Sequence, residues 1–555
     1  MLWYSAVVTI SRRELLRRAG LLGVSAAIGC SKDDDDGAAD DGTEGDGTEG
    51  DTSSSSTGGD DLPQYEYDGE LGPEGIFSHS VASGDPLIDA VILWTRVTVE
   101  QTAAVEAFYE VALDPEFTQR VAADYVTAEP ERDFTIKLDA VELAPGTTYY
   151  YRFFALGRTS PTGRTRTAAS GALDRLRLAV MSCSSLAHGY FHAYRRVAER
   201  TDLDLVVHLG DYIYEYGSGE YGDIREYEPA HEILTLADYR ARYSQYRRDP
   251  DLQECHRQHP MVAVWDDHEV ADDAWAGGAE NHTEASEGAF ADRKAAARQA
   301  YVEWLPIREG AEGIVYRSFA FGDLVALIML DTRNAGRDQQ VPSAFDTEAL
   351  EDPARQLLGA AQEAWLAEQL DHDAAWTLIG QQVMVAQLRL GENPLNLDQW
   401  DGYPAARQRL FDLLREHTPT DAVVLTGDIH SSWAFELADD PFGPDYDPST
   451  GAGAVAVEFV APSVTSPGFP ADTADQFMTT HPHLKWGNLV DHGYVVLDVT
   501  QDRLQASWWL VDDVTSPEGG AERFAAAWSV VRGTVALLSD AEPAPPPAES
   551  PAPAP

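Results

Sequence analysis

Across residues 174–535, short apolar runs alternate with segments of helical periodicity, and polar side chains gather directly after the apolar runs. This alternation is typical of α/β layers, in which buried strands are covered by helices. The last apolar runs have no helical segments between them, so we expect a layered α/β/β/α core rather than a doubly wound sheet. Ligands bind where strands end in such folds, so the polar groups mark a candidate site.

The periodicity also gives approximate bounds for the individual elements of this region. The predicted strands are residues 176–181, 203–209, 259–265, 324–330, 377–380, 422–426, 455–460 and 494–499. The predicted helices are residues 190–200, 293–305, 360–370 and 406–415.

A different pattern precedes this region, over residues 62–170. Short strands rich in aromatic and β-branched residues recur there at 90–96, 134–138 and 147–154, with turn signals such as Pro145-Gly146 between them. Strands at this spacing favour a β-sandwich of the immunoglobulin or fibronectin type. We expect an N-terminal β-sandwich domain followed by a catalytic domain over residues 174–535.

The first 30 residues have the pattern of an export signal. Arg12 and Arg13 precede an apolar run at 19–29 that is too short to span a bilayer and that ends at Cys30. Paired arginines before such a run are typical of twin-arginine signals. The run into Cys30 resembles a lipoprotein cleavage site, which predicts lipidation of Cys30. An ordinary signal with an incidental cysteine is the alternative.

Two segments have compositions that do not support a packed core. Residues 31–61 are acidic and rich in Gly and Ser, and residues 541–555 are rich in Pro, so both are predicted to be disordered. With a lipidated Cys30, the acidic segment would be a tether. The predicted location is therefore the periplasm or the cell surface, with the twin-arginine translocation machinery and the membrane as partners.

The formal net charge of −53 constrains the ligands of the protein. Nucleic-acid backbones bind basic surfaces, so specific nucleic-acid binding is not expected. The three cysteines, Cys30, Cys183 and Cys255, are too few for a disulfide framework. Cys255 lies outside every motif and is predicted to be a core thiol.

Five polar motifs follow predicted strands, and the first two contain candidate metal ligands. They are SCSS at 182–185, GDYIYE at 210–215, WDDHE at 265–269, LDTR at 330–333 and GDIHSS at 427–432. Cys183 is either a buried filler or a thiolate ligand. Asp211 can bridge two cations through its two oxygens, with Tyr214 within reach. A Gly-Asp turn beside core tyrosines is the structural alternative.

The other three motifs each have a functional and a structural interpretation. Asp267 and His268 belong to a run of adjacent polar groups that a cation and a phosphate would satisfy, whereas a helix N-cap is the structural alternative. Arg333 suits bidentate binding of a phosphoryl group, or else a structural Asp–Arg pair. Asp428 and His430 stand two apart, so both can face one site on extended backbone.

Together with WDGYP at 400–404, these motifs resemble those of the PhoD-type alkaline phosphatases, within the calcineurin-like metallophosphoesterases. The resemblance covers nearly the whole chain after the signal. The wider superfamily usually has GNHE and GHxH where this sequence has DDHE and GDIH, which narrows the resemblance to the PhoD group. That family also includes phospholipase D-like phosphodiesterases.

The resemblance implies a ligand set for each metal. One metal would be Fe³⁺, and its implied ligands are Cys183, Asp211, Tyr214 and His430. The other site would share Asp211 and hold one or two Ca²⁺ ions, and its further implied ligands are Asp267, Asp428 and Gln382. Oxygen ligands of this kind suit a hard cation.

The resemblance also implies hydrolysis of phosphate esters by a metal-activated hydroxide. Arg333 would stabilise the phosphoryl oxygens, and His268 would contact the phosphate or protonate the leaving oxygen. Asp401 and Tyr403 of WDGYP are candidates to shape the pocket, with a purely structural turn as the alternative.

Three functions are compatible with the sequence. The first is an exported alkaline phosphatase D-like enzyme acting on phosphate monoesters and diesters. The second is a phospholipase D-like phosphodiesterase acting on phospholipid head groups. The third is a non-catalytic cell-surface lipoprotein that retains the fold.

Overall fold

A computed structural model of the protein describes residues 62–310, 313–418, 420–470 and 474–555. The predicted signal at 1–30, including Cys30, and the acidic linker at 31–61 lie outside these residues. Within the described ranges, the structure contains no helix with the length and hydropathy needed to cross a membrane.

The strands and helices are numbered here in chain order. The strands are β1 Val81–Gly84, β2 Val91–Arg96, β3 Val105–Ala112, β4 Arg120–Ala128, β5 Thr135–Ala140, β6 Thr148–Ala155, β7 Arg158–Thr159, β8 Gly163–Arg166, β9 Arg175–Met181, β10 Leu205–His208, β11 Pro260–Ala263, β12 Arg317–Phe321, β13 Val325–Met329, β14 Trp376–Gln381, β15 Arg389–Leu390, β16 Asn393–Pro394, β17 Ala422–Thr426, β18 Ser432–Ala438, β19 Ala454–Val460, β20 Leu484–Asn488, β21 His492–Thr500, β22 Arg503–Val511, β23 Glu522–Val531 and β24 Leu538–Asp540. The helices are α1 His192–Ala198, α2 Leu236–Tyr246, α3 Pro250–Gln258, α4 Glu284–Glu287, α5 Phe290–Trp304, α6 Thr347–Leu350, α7 Ala360–Gln369, α8 Pro404–His417 and α9 Ala474–Thr480.

Two large mixed sheets form the centre of the molecule. One has the order β24-β23-β22-β21-β9-β10-β11-β1-β2-β5, and the other has the order β12-β13-β14-β17-β19-β18-β20. Strands β9, β10 and β11 are mutually parallel in the first sheet, and β13, β14, β17 and β19 are parallel in the second. Their carboxyl ends carry the motifs found in the sequence.

The two sheets pack face to face over a shared apolar core. Leu378 of β14 belongs to the cluster that also contains strand residues of the ten-stranded sheet, and the Trp508 indole of β22 donates to the Val460 carbonyl at 3.0 Å. The next residue of β14, Ile379, points the other way into a cluster with Leu366 of α7 and Leu410 of α8. The alternation of buried residues along β14 thus fills both faces, as the continuous apolar runs predict, and the α/β class is confirmed.

The N-terminal region is a β-sandwich with an unexpected partner. Strands β3, β4, β6, β7 and β8 form one layer, but β1, β2 and β5 extend the ten-stranded sheet of the catalytic region, with Ser83 of β1 opposite Pro260 of β11. Periodicity predicts where strands lie, not which strands pair, so the sequence suggests a separate domain. Instead the sandwich and the catalytic region share one continuous sheet.

The Pro-rich segment 541–555 differs from the disorder predicted for it. A proline-rich backbone has few N–H donors, so its carbonyl oxygens find few partners within the segment. Here side chains from the rest of the protein donate hydrogen bonds to these carbonyl oxygens. These bonds include Tyr150 Oη to Ala552 at 2.7 Å, Arg164 Nη1 to Pro551 at 3.4 Å, Arg257 Nη1 to Pro555 at 2.7 Å and Gln258 Nε2 to Ala554 at 3.0 Å. The segment therefore lies against both the sandwich and helix α3.

Deletion of residues 546–555 is expected to destabilise the protein without removing any motif of the candidate site. Loss of several net hydrogen bonds, partly offset by the restored chain entropy, should lower the free energy of unfolding by about 1–3 kcal/mol. Urea unfolding of the full chain and the truncated chain measures this difference. Tyr150→Phe, which removes a single bond, should have a smaller effect. An unchanged midpoint for the truncation would contradict the docking of this segment.

Candidate metal centre

Side chains from the ends of three different strands meet at one buried point. Ligand atoms of Cys183 after β9, Asp211 after β10 and His430 after β17 all lie within 4.8 Å of one another. All three residues are buried. They come from both sheets, so the point lies where the carboxyl ends of the parallel strands of the two sheets meet.

Tyr214 completes this group. Its hydroxyl donates to Asp211 Oδ2 at 2.8 Å, and it lies 3.2 Å from His430 Nε2 and 2.6 Å from Ser466 Oγ. His430 is oriented by its other ring nitrogen, Nδ1, which lies 3.0 Å from the Pro467 carbonyl oxygen. Such a bond to one imidazole nitrogen is typical of a histidine that presents the other nitrogen to a metal.

The backbone at these positions adopts a conformation that non-glycine residues rarely adopt. The φ angles are 60° at Cys183, 54° at Asp211, 62° at Asp428 and 55° at His430. A residue in the left-handed region costs on the order of 1–3 kcal/mol and persists only where its surroundings hold it there. Its repetition at four candidate ligands indicates that the strand ends are shaped to aim these side chains.

Gly210 shows why the Asp211 turn needs a glycine. Its φ is 103°, and a Cβ atom there would lie 2.5 Å from the backbone nitrogen of Asp266. The β10 and β11 loops approach each other at this point, so the glycine allows Asp211 to stand beside the WDDHE motif.

A second group, made of carboxylates, adjoins the first. Three overlapping trios make up this group: Asp211, Asp267 and His268; Asp266, Asp267 and Asp428; and Asp267, Asp272 and Asp273. Within each trio the ligand atoms lie within 4.8 Å of one another. Asp266 Oδ2 and Asp273 Oδ1 are buried and have no hydrogen-bond partner among the described residues. A buried carboxylate oxygen without a partner costs free energy unless a cation or a proton binds it.

The electrostatics of this group agree with a cation-binding role. Burial raises the pKa of Asp273 well above its ordinary value, and the neighbouring Asp398, Asp272 and Asp267 raise it further, against a smaller lowering by Arg333. The carboxylate oxygens of this group fit hard divalent cations. The thiolate, phenolate, imidazole and carboxylate of the first group fit a transition metal instead.

Arg333 has a different role from the phosphoryl contact predicted for it. Its buried guanidinium is directed at carboxylates, with Asp266 at 2.6 Å, Asp398 at 2.7 Å and Asp428 at 2.7 Å. It also lies 3.6 Å from Asp267. With its donors directed at these groups, Arg333 holds the carboxylates of the site together, so we correct its role to that of a positioning residue.

His268 lies in the carboxylate group, and Glu215 fixes the orientation of its ring. Its Nδ1 is 2.7 Å from Glu215 Oε2, and its ring packs against Tyr214 with the centroids 4.2 Å apart. Burial lowers the pKa of His268, but the carboxylates of Asp267, Glu215 and Asp211 together outweigh burial and raise this pKa well above its ordinary value. This arrangement leaves Nε2 as the ring nitrogen available to the site.

Gln382 does not join the ligands, contrary to the prediction. Its Oε1 accepts hydrogen bonds from the Thr332 backbone amide at 2.9 Å and the Thr332 hydroxyl at 2.5 Å, while its Nε2 donates to the Leu330 carbonyl at 2.8 Å. Both lone pairs of the amide oxygen are thereby used. Gln382 is corrected from a metal ligand to a support for the loop that carries Arg333.

Gln382→Leu tests this correction. Because Thr332 loses its partner and the Arg333 loop loosens, we expect kcat to fall roughly tenfold while the metal content per chain stays unchanged. Elemental analysis and steady-state kinetics on the same preparation measure both quantities. Gln387→Leu, at a half-buried position whose amide binds a carbonyl at 2.8 Å, is the matched control. Loss of metal in Gln382→Leu alone would restore the ligand role.

Asp401 and Tyr403 belong to a structural turn rather than to the pocket. The Asp401 carboxylate accepts from the Leu388 amide at 2.8 Å and from Arg407 at 2.6 Å. The Tyr403 hydroxyl donates to the Asp338 carbonyl at 2.7 Å. These bonds fix the start of α8 and the loop before it, so the structural alternative for WDGYP holds.

Three carboxylates that support the site were not predicted from the sequence. Glu269 accepts the backbone amides of Asp211 at 3.1 Å, Tyr212 at 2.7 Å and Asp266 at 2.8 Å, which joins two of the loops. Glu215 holds His268, and Asp398 binds Arg333. Glu269 and Glu215 are the last residues of the motifs WDDHE and GDYIYE, so their motif positions could have indicated a role. Asp398 stands in a loop outside the motifs.

Cys183 and Cys255 have different surroundings. Both are buried. Burial raises the pKa of the Cys255 thiol, which has no place in the site, as predicted for a core residue. Cys183 lies beside Asp211 and His430, where it is a candidate ligand.

A cavity of about 400 Å³ adjoins the carboxylate group. Asp273 and Asp398 line it, together with Trp275, Val341 and Leu397. A cavity of this size and mixed lining can hold part of a small organic molecule beside the site.

Two packed sheets whose strand ends present a mixed and a carboxylate-rich ligand group define a metal-dependent hydrolase of the metallophosphoesterase class. Sequence models of the PhoD-like phosphatase and of its N-terminal domain match residues 178–508 and 69–169. The chain belongs to the PhoD-like phosphatase family, and it is a metal-dependent phosphoric ester hydrolase.

Two relatives show how far this similarity extends. Alkaline phosphatase D of Bacillus subtilis (strain 168) is 38% identical over 472 residues, which is 80% of this chain and 78% of the relative. A solved structure described as the structure of PhoD superposes with a TM-score of 0.78 at 36% identity, covering 84% of this chain and 92% of that one.

Proposed function

We propose that this enzyme hydrolyses phosphate monoesters and diesters at the centre formed by Cys183, Asp211, Tyr214 and His430 and the adjoining carboxylates. The observation that carries the proposal is the convergence of ligands from three strand ends, each on a backbone in the left-handed region. Strain of this kind is found where a site must be held in one geometry.

The donor atoms support an assignment of the two metals. Cys183, Tyr214, His430 and Asp211 offer sulfur, phenolic, imidazole and carboxylate donors, a set suited to Fe³⁺. Asp211, Asp267 and Asp428 offer oxygen alone, suited to one or two Ca²⁺ ions. When bound, such ions would supply an activated water nucleophile and positive charge beside the phosphoryl group.

The protein itself contributes orientation and proton transfer. Arg333 and Glu269 fix the carboxylates, so that few of these groups must move when a substrate binds. Glu215 fixes the His268 ring with Nε2 toward the site, where it donates a proton to the leaving oxygen. The leaving group lies in the cavity lined by Trp275 and Val341.

One observation favours diesters of cationic or neutral alcohols as a second substrate class. The cavity that would receive the leaving group carries Asp273, Glu280 and Asp398. Asp398 is paired with Arg333 and Arg337, so the carboxylates that bear on a leaving group are Asp273 and Glu280. They would disfavour an anionic leaving group and favour an amino alcohol such as those of phospholipid head groups. A phospholipase D-like reaction is the corresponding alternative.

The place of action proposed is outside the cytoplasm. Paired arginines at 12 and 13, the short apolar run and Cys30 support export and a lipid anchor. Labelling of whole cells with a radioactive fatty acid, with Cys30→Ser as the comparison, tests the anchor.

The reaction is tested with chromogenic phosphate esters. The chain lacking residues 1–61 should hydrolyse a monoester and a diester, should lose this activity on chelation, and should regain it with iron and calcium but with neither metal alone. Folded, metal-loaded protein that is inactive on both esters would contradict the proposal. The monoester-to-diester ratio separates the two substrate classes.

A further inference from the structure

Residues 551–555 are bound by side chains from two different parts of the protein. Tyr150 and Arg164 stand on strands β6 and β8 of the sandwich, and Arg257 and Gln258 stand at the end of α3. All four donate to backbone oxygens of the segment. Together these four residues are called the tail site here. Recognition through the backbone is the way in which proteins bind extended peptides.

Gln258 binds both backbone polar groups of one residue of the segment, Ala554. The Ala554 amide donates to Gln258 Oε1 at 2.9 Å, and Gln258 Nε2 donates to the Ala554 carbonyl at 3.0 Å. Ala554 is also buried, with an exposure of 4%. The position therefore requires a small residue with a backbone N–H, which excludes proline, although prolines stand on both sides of it.

The tail site is held in place by bonds that do not involve the segment. Arg164 Nε donates to the Gln258 carbonyl at 2.8 Å. Arg257 Nη1 donates to the Thr162 carbonyl at 3.0 Å, and Arg257 Nη2 donates to Glu254 Oε2 at 2.7 Å. Because these bonds fix both guanidinium groups without the segment, binding of a peptide orders few further side chains of the site.

An exposed connector separates residues 551–555 from the earlier contacts of the same segment. Arg177 Nη1 donates to the Pro545 carbonyl at 3.2 Å, and Gln505 Nε2 donates to the Glu542 carbonyl at 3.2 Å. Residues 546–550 make no hydrogen bond to other described residues, and residues 548–550 are exposed. Residues 551–555 thus have the arrangement of a ligand on a short tether, whose effective concentration at the site is on the order of mM.

We infer that the tail site is a binding site for extended peptides in which a small, non-proline residue stands between two prolines, and that residues 551–555 of this chain are its tethered ligand. The prolines restrict the free peptide, so it loses little conformational entropy when it binds. This binding role is independent of ester hydrolysis, because the tail site contains none of the candidate metal ligands.

The test supplies the ligand to the full chain as a separate molecule. Ala554→Lys should release the tethered ligand, because a long cationic side chain is unfavourable at a buried position next to Arg257. A fluorescent peptide with the sequence of residues 546–555 should then bind with a saturable change in anisotropy and a dissociation constant of roughly 0.1 mM or below. Binding to the parent chain should be roughly tenfold weaker, because its own ligand occupies the site.

Three comparisons make the measurement specific. In the Ala554→Lys chain, Gln258→Leu should weaken peptide binding roughly tenfold or more, because both bonds to the small residue are lost. Gln408→Leu, at an exposed glutamine of α8 that binds Asp412 at 3.0 Å, should leave binding unchanged. A peptide with Ala554→Pro lacks the N–H and should bind roughly fivefold or more weakly. This last comparison uses one protein throughout and does not depend on the folding of a further variant.

Two results would overturn the inference: no saturable binding to the Ala554→Lys chain, or equal binding of the natural peptide and the Ala554→Pro peptide. Size-exclusion chromatography of the parent chain tests the tether. A monomer supports it. A dimer that dissociates in Gln258→Leu would show that the segment binds a second copy of the chain and would contradict the tethered arrangement.

Discussion

Asp211→Asn is expected to lower kcat/KM for a phosphate monoester by roughly 10³-fold or more. Asp211 is the residue common to both ligand groups, since it lies within 4.8 Å of Cys183 and His430 on one side and of Asp267 and His268 on the other. An amide keeps the shape of the side chain but removes the negative charge and one oxygen, so it can no longer bridge two cations. Both metals should then bind more weakly.

Activity and metal content measured on the same samples test this expectation. Asp401→Asn is the matched control, because Asp401 is also a buried carboxylate but binds Leu388 and Arg407 away from the ligands. It should keep its metals and stay within roughly tenfold of the parent kcat/KM. An Asp211→Asn enzyme that retains full activity would show that hydrolysis does not depend on this bridge.

Arg333→Met is expected to have the largest effect on stability. The guanidinium lies within 3.6 Å of four buried carboxylates, those of Asp266, Asp267, Asp398 and Asp428. Removing one partner of buried, hydrogen-bonded charges typically costs about 3–5 kcal/mol, because the other charges stay buried without compensation. Displaced carboxylates should also lower kcat, by roughly 10²-fold.

Urea unfolding of the metal-loaded enzyme measures the effect of Arg333→Met, and two further variants make the measurement specific. Arg333→Lys keeps the charge but not the planar fork that binds three carboxylates, so it should restore only a small part of the loss. Arg409→Met breaks the partly exposed bond to Glu363 at 2.8 Å and should cost about 1 kcal/mol or less. If Arg333→Met were as mild as Arg409→Met, the buried network would not stabilise the site.

The sequence places the candidate ligands near one another because of where they stand in the chain. Asp211, Asp267 and Asp428 each follow an apolar strand after at most a few residues, and parallel strands bring their carboxyl ends to one edge. Chain order alone thus places these carboxylates near one another, and the resemblance to a known family adds Cys183 and Tyr214.

What the sequence does not indicate is which polar atoms use each other as partners. Arg333 and Gln382 have the chemistry expected of a phosphate contact and a metal ligand, but in the fold Asp398 and Thr332 bind them. Asp398 stands in a loop with no periodicity, so nothing in the sequence places it beside Arg333. Such pairings depend on the packing of loops, which short-range patterns do not encode.

Short-range patterns also do not indicate which strands pair or where a whole segment binds. The predicted strand 90–96 covers β2, whereas β1 was not predicted, and the membership of both in the catalytic sheet depends on the pairing of β1 with β11, more than 170 residues later. The segment 541–555 has the composition of a disordered tail, but arginine and tyrosine side chains far away in the chain bind its carbonyls. The composition of a segment does not indicate whether another part of the protein offers a surface to which it can bind.

The most direct test of the metal centre is anomalous diffraction from crystals of the active enzyme, at wavelengths on either side of the iron edge. We expect an iron peak in contact with Cys183 Sγ, Tyr214 Oη and His430 Nε2, and a second metal peak across Asp211 beside Asp267 and Asp428. An enzyme active in the same crystals with no metal peak between these residues would contradict the proposed centre.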